Sequence, residues 1–317
     1  MEMETPVVSV VIPTRNRPDM VCHAVETVLA QTYSDLEIVV VVDGPDEATV
    51  NALHAIGDSR IRVVALENNV GGAEARNVGV RNSRGQWVAL LDDDDEWLPL
   101  KLEYQMKAAE GRKTDKALIA SRFYFRQDGI DVMGPLILPG TRPSDRARMS
   151  EYPFESDCGF QTSVYICNRE LFLKVPFIKG LPGMQDVDWF LRLMMDPEVE
   201  LIVVPEPLSI YNSPTGRPTI SAGLTWEKPL AWAKANRHLM SSRAYSLFIM
   251  RTLVPRAVDE RSGWRGFWTL LRECFFVGSP SLKIVGLFFI RYLLPEDVRY
   301  RLKTRFFPVS ANDLKAA

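Results

Sequence analysis

The sequence predicts an α/β protein with a mostly parallel central sheet flanked by helices, followed by a helical C-terminal region. Continuous β-branched runs at 7–12 (VVSVVI) and 36–42 (LEIVVVV) are typical of strands that are buried on both faces. Strand and helix alternate four times before residue 92, as expected for a parallel sheet with crossover helices. The composition changes after residue 224, which indicates a second region.

The predicted elements follow from apolar periodicity and turn residues. Strands are predicted at 7–12, 36–42, 61–66, 87–91, around 123–125, 161–166 and 201–204, and helices from Asp19 and at 47–56, 72–82, 170–175 and 186–195. Ligands of parallel α/β sheets bind beyond the carboxyl ends of the strands. Thr14, Arg15, Asp43 and the acidic run from Asp92 follow three of these strands, so we expect them to form a binding site.

The composition is that of an ordinary globular protein, with 317 residues, 46% hydrophobic and 25% charged. The four cysteines are widely spaced and form no CxxC pair, which argues against a disulfide framework or a zinc site and suits a reducing cytoplasm. The acidic N-terminal stretch MEMET is not typical of a signal peptide. The apolar run at 284–290 is too short to span a bilayer.

Four consecutive carboxylates, at 92–95, close the apolar segment WVALL. Placing such charges together costs free energy unless a cation lies among them. Oxygens that only accept hydrogen bonds suit Mg²⁺ or Mn²⁺, which complete their coordination with water and substrate phosphates. The run therefore predicts a metal site for a phosphate-bearing ligand, with a solvated acidic turn as the alternative.

Several other classes of site lack their central residues. The sequence contains no GxxxxGK[ST] loop, and Gly71-Gly72 does not belong to a GxGxxG fingerprint, which argues against kinase, NTPase and dehydrogenase functions. The three histidines, His23, His54 and His238, lie near no serine or cysteine motif, so a hydrolytic triad is not supported.

Five segments in order resemble the family 2 glycosyltransferases, which bind nucleotide sugars through a GT-A fold. The segments are VSVVIPTRNRP (8–18), EIVVVVDGPDE (37–47), NVGGAEARNVG (69–79), LLDDDDEWLP (90–99) and PGMQDVDWFLRL (182–193). The resemblance covers about residues 6–221 and implies a nucleotide-sugar donor.

The resemblance also implies how the donor is bound. The first loop, with Pro13, Thr14 and Arg15, would line the nucleotide pocket. Asp43 would accept a hydrogen bond from the base and favour uracil or thymine, although Val42 stands where the family often has a first aspartate. Gly72 and Arg76 would lie in the segment that closes over the donor. For Arg76, the alternative is an arginine on a helix surface.

Within the acidic run, the resemblance assigns a DxD element. Asp94 would ligate the metal that bridges the two phosphates of the donor, with Asp92 as its partner, and Asp93 would lie near the ribose or the sugar. Asp95 is interpreted as helix-start charge. A bound cation would stabilise the charge that develops on the diphosphate leaving group.

The resemblance further implies a base that deprotonates the acceptor hydroxyl. Asp186 is the candidate and Asp188 the rival, while Gln185 stands in place of the family's glutamate. On a helix the two aspartates point in different directions, so only one can face the site. The alternative for Asp186 is an acid that stabilises a helix N-terminus. Arg217 is a further candidate, for contact with the diphosphate.

Residues 225–317 carry 16 Lys/Arg, 7 Asp/Glu and 15 of the 31 aromatic residues. We therefore predict two domains, a GT-A catalytic domain at 1–224 and a basic, aromatic-rich helical region at 225–317. One interpretation places these helices on an anionic membrane surface. The other packs them on the catalytic domain or on a second subunit, and the excess charge favours the membrane. Nucleic acid is not predicted as a partner because no recognition motif accompanies the charge.

Taken together, these features predict a metal-dependent, inverting glycosyltransferase that uses a UDP or dTDP sugar. The acceptor would be a glycan or a lipid-linked hydroxyl in surface polysaccharide assembly, at the cytoplasmic face of the membrane. A GT-A-like nucleotidyltransferase is one alternative, but TRNRP is not the usual glycine-rich activating loop. A catalytically silent scaffold is the other, and retention of Asp43, Asp92, Asp94 and Asp186 argues against it.

Overall fold

The structure, a computed structural model, describes residues 5–128, 130–136, 146–155, 161–181, 183–213, 224–294 and 298. Its strands are β1 Val8–Thr14, β2 Leu36–Val42, β3 Ile61–Ala65, β4 Trp87–Leu90, β5 Glu96–Trp97, β6 Ala117–Gln127, β7 Ile130–Leu136, β8 Tyr165–Asn168 and β9 Glu200–Asn212. Its α-helices are α1 Pro18–Leu29, α2 Glu47–Ile56, α3 Gly72–Asn82, α4 Lys101–Glu110, α5 Tyr152–Glu155, α6 Arg169–Lys174, α7 Gln185–Leu193, α8 Glu227–Ala235, α9 Ser242–Phe248, α10 Val254–Asp259, α11 Gly263–Arg272 and α12 Leu282–Leu293.

The strands form one mixed sheet in the order β3-β2-β1-β4-β8-β6-β9-β5, with β7 paired to β6. The first four strands are parallel, as the sequence predicts. Strand β8 is antiparallel to β4 and to β6, while β6 and β9 are again parallel. The predicted α/β fold is confirmed, and the antiparallel strands belong to the half beyond β4.

The β-branched runs become central strands because both of their faces are covered by apolar side chains. All seven residues of β2 are buried, and helix α1 packs Val21, Val25 and Val28 into the same core. Helix α3 approaches β1 closely at Gly79, where a Cβ atom would overlap the side chain of Val11. This close packing fixes the position of α3 relative to the strand ends.

The predicted start of one strand is wrong. Residues 161–166 do not form a strand throughout, because Thr162–Val164 is a 3₁₀ turn and pairing begins only at Tyr165. The hydroxyl groups of Thr162 and Ser163 donate hydrogen bonds to Asp92 and Asp95, which holds this backbone out of the sheet.

The chain forms two compact units, Met1–Arg142 with Phe160–Arg217, and Pro143–Gly159 with Pro218–Ala317. The boundary predicted at residue 224 stays a prediction. The first unit contains the whole sheet. The second contains α5 and α8 to α12, and its core includes Phe154 and Trp232 packed against Phe248 at centroid distances of 5.5 and 5.6 Å. Among the described helices, none has both the length and the apolar composition that crossing a bilayer requires.

We predict that Gly79→Ala lowers the free energy of unfolding by about 1–3 kcal/mol, because the added methyl group forces α3 away from β1. Gly111→Ala is the matched control, since the nearest atom to its Cβ would be the carbonyl oxygen of Ala108 at 3.6 Å. Urea unfolding followed by circular dichroism measures both. Equal stability of the two variants would contradict the close approach.

Candidate active site

The carboxyl ends of β1, β2 and β4 bring the predicted first-loop residues and the acidic run together. Thr14, the last residue of β1, lies opposite Val42 and accepts a backbone hydrogen bond of 2.9 Å from the N–H of Asp43. Its hydroxyl donates to Asp93 Oδ2 at 2.7 Å. Pro13 is half-buried in the same strand and Arg15 is exposed just beyond it. The sheet thus places these residues at one edge, as predicted.

Asp43 is buried and holds the loop that precedes α3. Its two carboxylate oxygens accept the backbone N–H groups of Val70 and Gly71 at 2.7 and 2.9 Å. Gly71 takes a φ of +84°, a conformation that suits glycine. Each carboxylate oxygen has two lone pairs, so Asp43 retains the capacity to accept from a ligand N–H as well.

The acidic run divides into two sets. Oxygen atoms of Asp92, Asp94 and Asp95 lie within 4.8 Å of one another. Asp93 turns away and accepts hydrogen bonds from Thr14 and from Arg17 Nη1, the latter at 2.9 Å. Three clustered carboxylates match the oxygen ligands that Mg²⁺ and Mn²⁺ prefer, so the donor set fits a divalent cation.

The interpretation of Asp95 as helix-start charge is wrong. The next helix, α4, begins only at Lys101, and Asp95 is 2% exposed. Ser163 Oγ donates to it at 2.6 Å and the Asn212 N–H at 3.2 Å. Burial, and then the charges of Asp94 and Asp92, raise the pKa of Asp95 well above its usual range. Its side chain therefore belongs to the cluster.

Arg76 connects this cluster to the segment of the predicted base. Its guanidinium is buried, donates through Nη2 to Asp92 and through Nη1 to Gln185 Oε1 at 3.1 Å. Burial disfavours the charged form, but the charge of Asp92 and its hydrogen bond outweigh this effect and the pKa of Arg76 is raised. The alternative of a surface arginine is wrong. Gly72 lies against this contact, since its Cβ would be 3.4 Å from Arg76 Nη1.

Helix α7 carries both aspartates considered as the base. Trp189 anchors the helix, stacking on Phe172 at 4.6 Å and donating its indole N–H to Val175 O at 2.8 Å. Asn77 on α3 exchanges two hydrogen bonds of 2.9 Å with the backbone of Phe177, just before α7. These contacts hold the N-terminus of α7 beside α3.

The two aspartates have different surroundings. Asp186, near the start of α7, is only partly buried and accepts a hydrogen bond of 2.8 Å from the Val187 N–H. Burial raises its pKa to about 6, with opposing effects from the nearby charges of Arg76, which lowers it, and Asp92, which raises it. Asp188 is fully buried and accepts from Arg192 Nε at 2.7 Å, four residues further along the helix.

Several residues at the site were missed by sequence reasoning. Tyr211 packs on Phe125 at 5.7 Å, and its pKa is raised to about 12, mainly by burial and then by the charges of Asp95, Asp94, Asp92 and Asp186. Arg17 lies between Asp93 and Asp94, 3.7 Å from the latter. Thr162 and Ser163, which donate to Asp92 and Asp95, were also missed. The available signals were these polar residues inside the apolar run QTSVYI and, for Arg17, the second arginine of TRNRP. Arg217 lies outside the described residues.

A cleft of about 450 Å³ opens beside the acidic run. Its wall is formed by side chains from α1, the acidic turn and the ends of β6 and β9, including Asp19, His23, Asp94, Arg126, Asn212 and Ser213. The cleft gives a ligand access to Asp94.

The sheet, the acidic cluster and the α3–α7 contact are the setting for the family assignment. Residues 9–171, just over half of the chain, match the family described as "Glycosyl transferase family 2". The chain belongs to this family, and it is a glycosyltransferase.

Two curated relatives illustrate the range of similarity. An uncharacterized glycosyltransferase of Haemophilus influenzae is 27% identical over 219 residues, 68% of this chain and 72% of the relative. The Escherichia coli protein WfaP, named a UDP-Glc:alpha-D-GlcNAc-diphosphoundecaprenol beta-1,3-glucosyltransferase, is 34% identical over 124 residues, 38% of this chain and 47% of WfaP.

Two solved structures are similar in fold. Staphylococcus aureus TarS 1–349 in complex with UDP-GlcNAc has a TM-score of 0.63 and 14% identity, covering 90% of this chain and 85% of TarS. The mannosyltransferase PcManGT of Pyrobaculum calidifontis, in complex with GDP-Man and Mn²⁺, has a TM-score of 0.55 and 18% identity, covering 95% and 84%. The GT-A fold predicted from the sequence is confirmed.

The two aspartates of α7 allow a paired test. We predict that Asp188→Asn lowers the free energy of unfolding by about 3 kcal/mol, because Arg192 loses its buried charged partner. Asp186→Asn should leave stability unchanged or increased, because burial already disfavours its charged form, and should abolish sugar transfer. Urea unfolding and a transferase assay are run on both variants. If Asp188→Asn lost transferase activity while keeping the stability of the unmodified chain, Asp188 rather than Asp186 would be the base.

Proposed function

We propose that this chain transfers a sugar, with inversion, from a UDP or dTDP donor to a hydroxyl of a glycan or lipid-linked acceptor. The observation that carries the proposal is the Arg76 bridge from Asp92 to Gln185. It joins a carboxylate cluster suited to a metal–diphosphate to a helix N-terminus that carries a candidate base. A donor phosphate and an acceptor hydroxyl would therefore meet at one place.

The donor side is assigned to the first unit. Asp43, with Pro13, Thr14 and Arg15 at the neighbouring strand end, would hold the nucleotide. Asp94 and Asp92 would hold Mg²⁺ or Mn²⁺, and Asp95 offers a third carboxylate to the same cluster. Such a cation, when bound, stabilises negative charge on the diphosphate. Asp93 would lie near the ribose or sugar, and Gly72 and Arg217 near the donor.

On the acceptor side, Asp186 would be the general base. Its carboxylate takes the proton of the acceptor hydroxyl as the hydroxyl oxygen bonds to the anomeric carbon. The bond from that carbon to the diphosphate oxygen breaks at the same time, and its electron pair leaves with the diphosphate. Attack from the face opposite the nucleotide inverts the anomeric centre. Arg76 contributes a fixed positive charge that acts on both Asp92 and Asp186.

The biological setting is part of the proposal. The name of WfaP specifies an acceptor on diphosphoundecaprenol, which supports a lipid-linked acceptor and polysaccharide biosynthesis for this chain. We place the catalytic domain at 1–224 and assign 225–317 to contact with an anionic membrane, at the cytoplasmic face.

Calorimetric titration of UDP, dTDP and GDP, with and without Mn²⁺, tests the donor site. We expect one uracil or thymine nucleotide to bind in a metal-dependent manner, and Asp94→Ala to weaken this binding at least about tenfold. Asp115→Ala, on a fully exposed carboxylate, is the matched control. Absence of binding for all three nucleotides would overturn the donor site. Binding of GDP alone would overturn the proposal that the nucleotide of the donor carries uracil or thymine.

The pH dependence tests the base. Only ionised Asp186 accepts a proton, and its pKa is raised to about 6. We therefore expect kcat/KM to be constant above pH 7 and to fall about tenfold per pH unit well below 6. The rate of nucleotide release from the donor chosen by calorimetry is measured from pH 4.5 to 8.5, with nucleotide affinity at each pH as the control. If kcat/KM did not change with pH while nucleotide affinity also stayed constant, Asp186 would be excluded as the general base.

A further inference from the structure

The second unit exposes large apolar side chains on α11, on α12 and between them. Trp264 and Trp268 are 68% and 60% exposed, Phe276 is 82% exposed and Leu282 is 91% exposed. The other five tryptophans of the chain are buried. Tryptophan is highly buried on average in soluble proteins, and contiguous apolar patches mark interaction sites. We call Trp264 and Trp268 of α11, with Leu282, Phe289 and Leu293 of α12, the apolar face.

Ring contacts show that members of the apolar face from both helices belong to one surface. Trp264 and Trp268 are four residues apart on α11 and so share one side of the helix. Both contact the buried ring of Phe267, at 5.4 and 5.0 Å, and Phe289 of α12 contacts the same ring at 6.3 Å. Phe267 therefore connects the exposed rings of the two helices.

Within residues 261–294, the segment that carries this face, the exposed charges have a single sign. Residues 261–294 contain five cations, all exposed, namely Arg261, Arg265, Arg272, Lys283 and Arg291. Their one acidic residue, Glu273, is buried, accepts a hydrogen bond of 2.8 Å from Tyr245 and pairs with Lys234 at 2.7 Å. The exposed charge of this segment is thus wholly positive.

We infer that the apolar face docks on an anionic lipid bilayer, with α11 and α12 lying in the membrane interface. Aromatic side chains would enter the headgroup region while the surrounding cations contact lipid phosphates. Helices of 10 and 12 residues are too short to span the roughly 30 Å hydrocarbon core. A second copy of the chain is disfavoured as the occupant, because a symmetric pairing would bring cations against cations.

The biological role of this docking rests on the proposed function. The docking adds to that function by assigning the membrane contact to defined residues. An acceptor carried by a membrane lipid would be reached by an enzyme held at the same surface. The docking itself does not require donor chemistry, so the two are separable by experiment.

Tryptophan fluorescence tests the docking on the full chain. Because Trp264 and Trp268 are the exposed tryptophans, iodide should quench mainly these two in solution. Vesicles of phosphatidylcholine with phosphatidylglycerol should bind the protein, shift its emission to the blue and protect it from iodide. Brominated acyl chains should quench it, and pure phosphatidylcholine should have little effect.

Two variants separate the apolar and the charge contributions. Trp264→Ala with Trp268→Ala should reduce vesicle partition at least about tenfold. The variant Arg265→Gln, Arg272→Gln, Lys283→Gln leaves the rings in place and should reduce it on the order of a hundredfold, or roughly fivefold per cation. Met195→Ala and Lys107→Gln, both at exposed positions of the first unit, are the matched controls.

Each alternative occupant gives a distinct result. Failure of the full chain to sediment with anionic vesicles would overturn the inference. So would protection from iodide without lipid, because another part of the chain would then cover the face, or protection that rises with protein concentration together with dimers in sedimentation. The Trp264→Ala, Trp268→Ala variant should keep nucleotide binding, whereas Asp94→Ala should keep vesicle binding. Failure of the donor site and failure of docking are therefore distinguished.

Discussion

The buried guanidinium of Arg76 is the interaction on which the geometry of the site depends. Removing a charge from water costs several kcal/mol unless good partners replace the solvent. Asp92 supplies the opposite charge and Gln185 a neutral acceptor, one from the end of the sheet and the other from the start of α7. The same contact consequently holds α3, the acidic turn and the candidate base in one arrangement. Gly79 and Asn77 reinforce it by fixing α3 against β1 and against the segment before α7.

Gln185 has a specific electrostatic consequence. A glutamate at this position would add a second negative charge beside Arg76 and compete with Asp92 for it. The amide instead accepts a hydrogen bond without adding charge. The guanidinium of Arg76 therefore continues to pair with Asp92, and its charge continues to lower the pKa of Asp186. The departure from the family pattern is thus compatible with an ionisable Asp186.

The four consecutive aspartates differ because their surroundings differ. Asp93 is held by Thr14 and Arg17, and Asp92 by Arg76 and Thr162, whereas Asp95 is buried against Ser163. Ser163 also accepts the backbone N–H of Asp92, so one side chain orients two members of the run. The 3₁₀ turn at 162–164 supplies these hydroxyl groups. Because they contact the acidic run, residues 162–164 do not pair as a strand.

The sequence alone determined the presence and order of the central strands, together with the bounds of β2 and of two helices, because burial on both faces demands continuous apolar runs and amphipathic helices repeat with the helical period. Helices α2 and α3 occupy the predicted residues, and Thr14, Asp43 and Asp92 meet at the predicted sheet edge because parallel strands end together. Only the tertiary structure decided the partners. Arg76 was a surface arginine or a site residue until Gln185, 109 positions away, was placed beside it. Asp186 was preferred to Asp188 only through the family resemblance, whereas the ion pair of Asp188 with Arg192 separates the surroundings of the two side chains. Local periodicity specifies which side of an element is buried, whereas hydrogen bonds and ion pairs depend on residues that are distant in the chain and approach only when the sheet has formed.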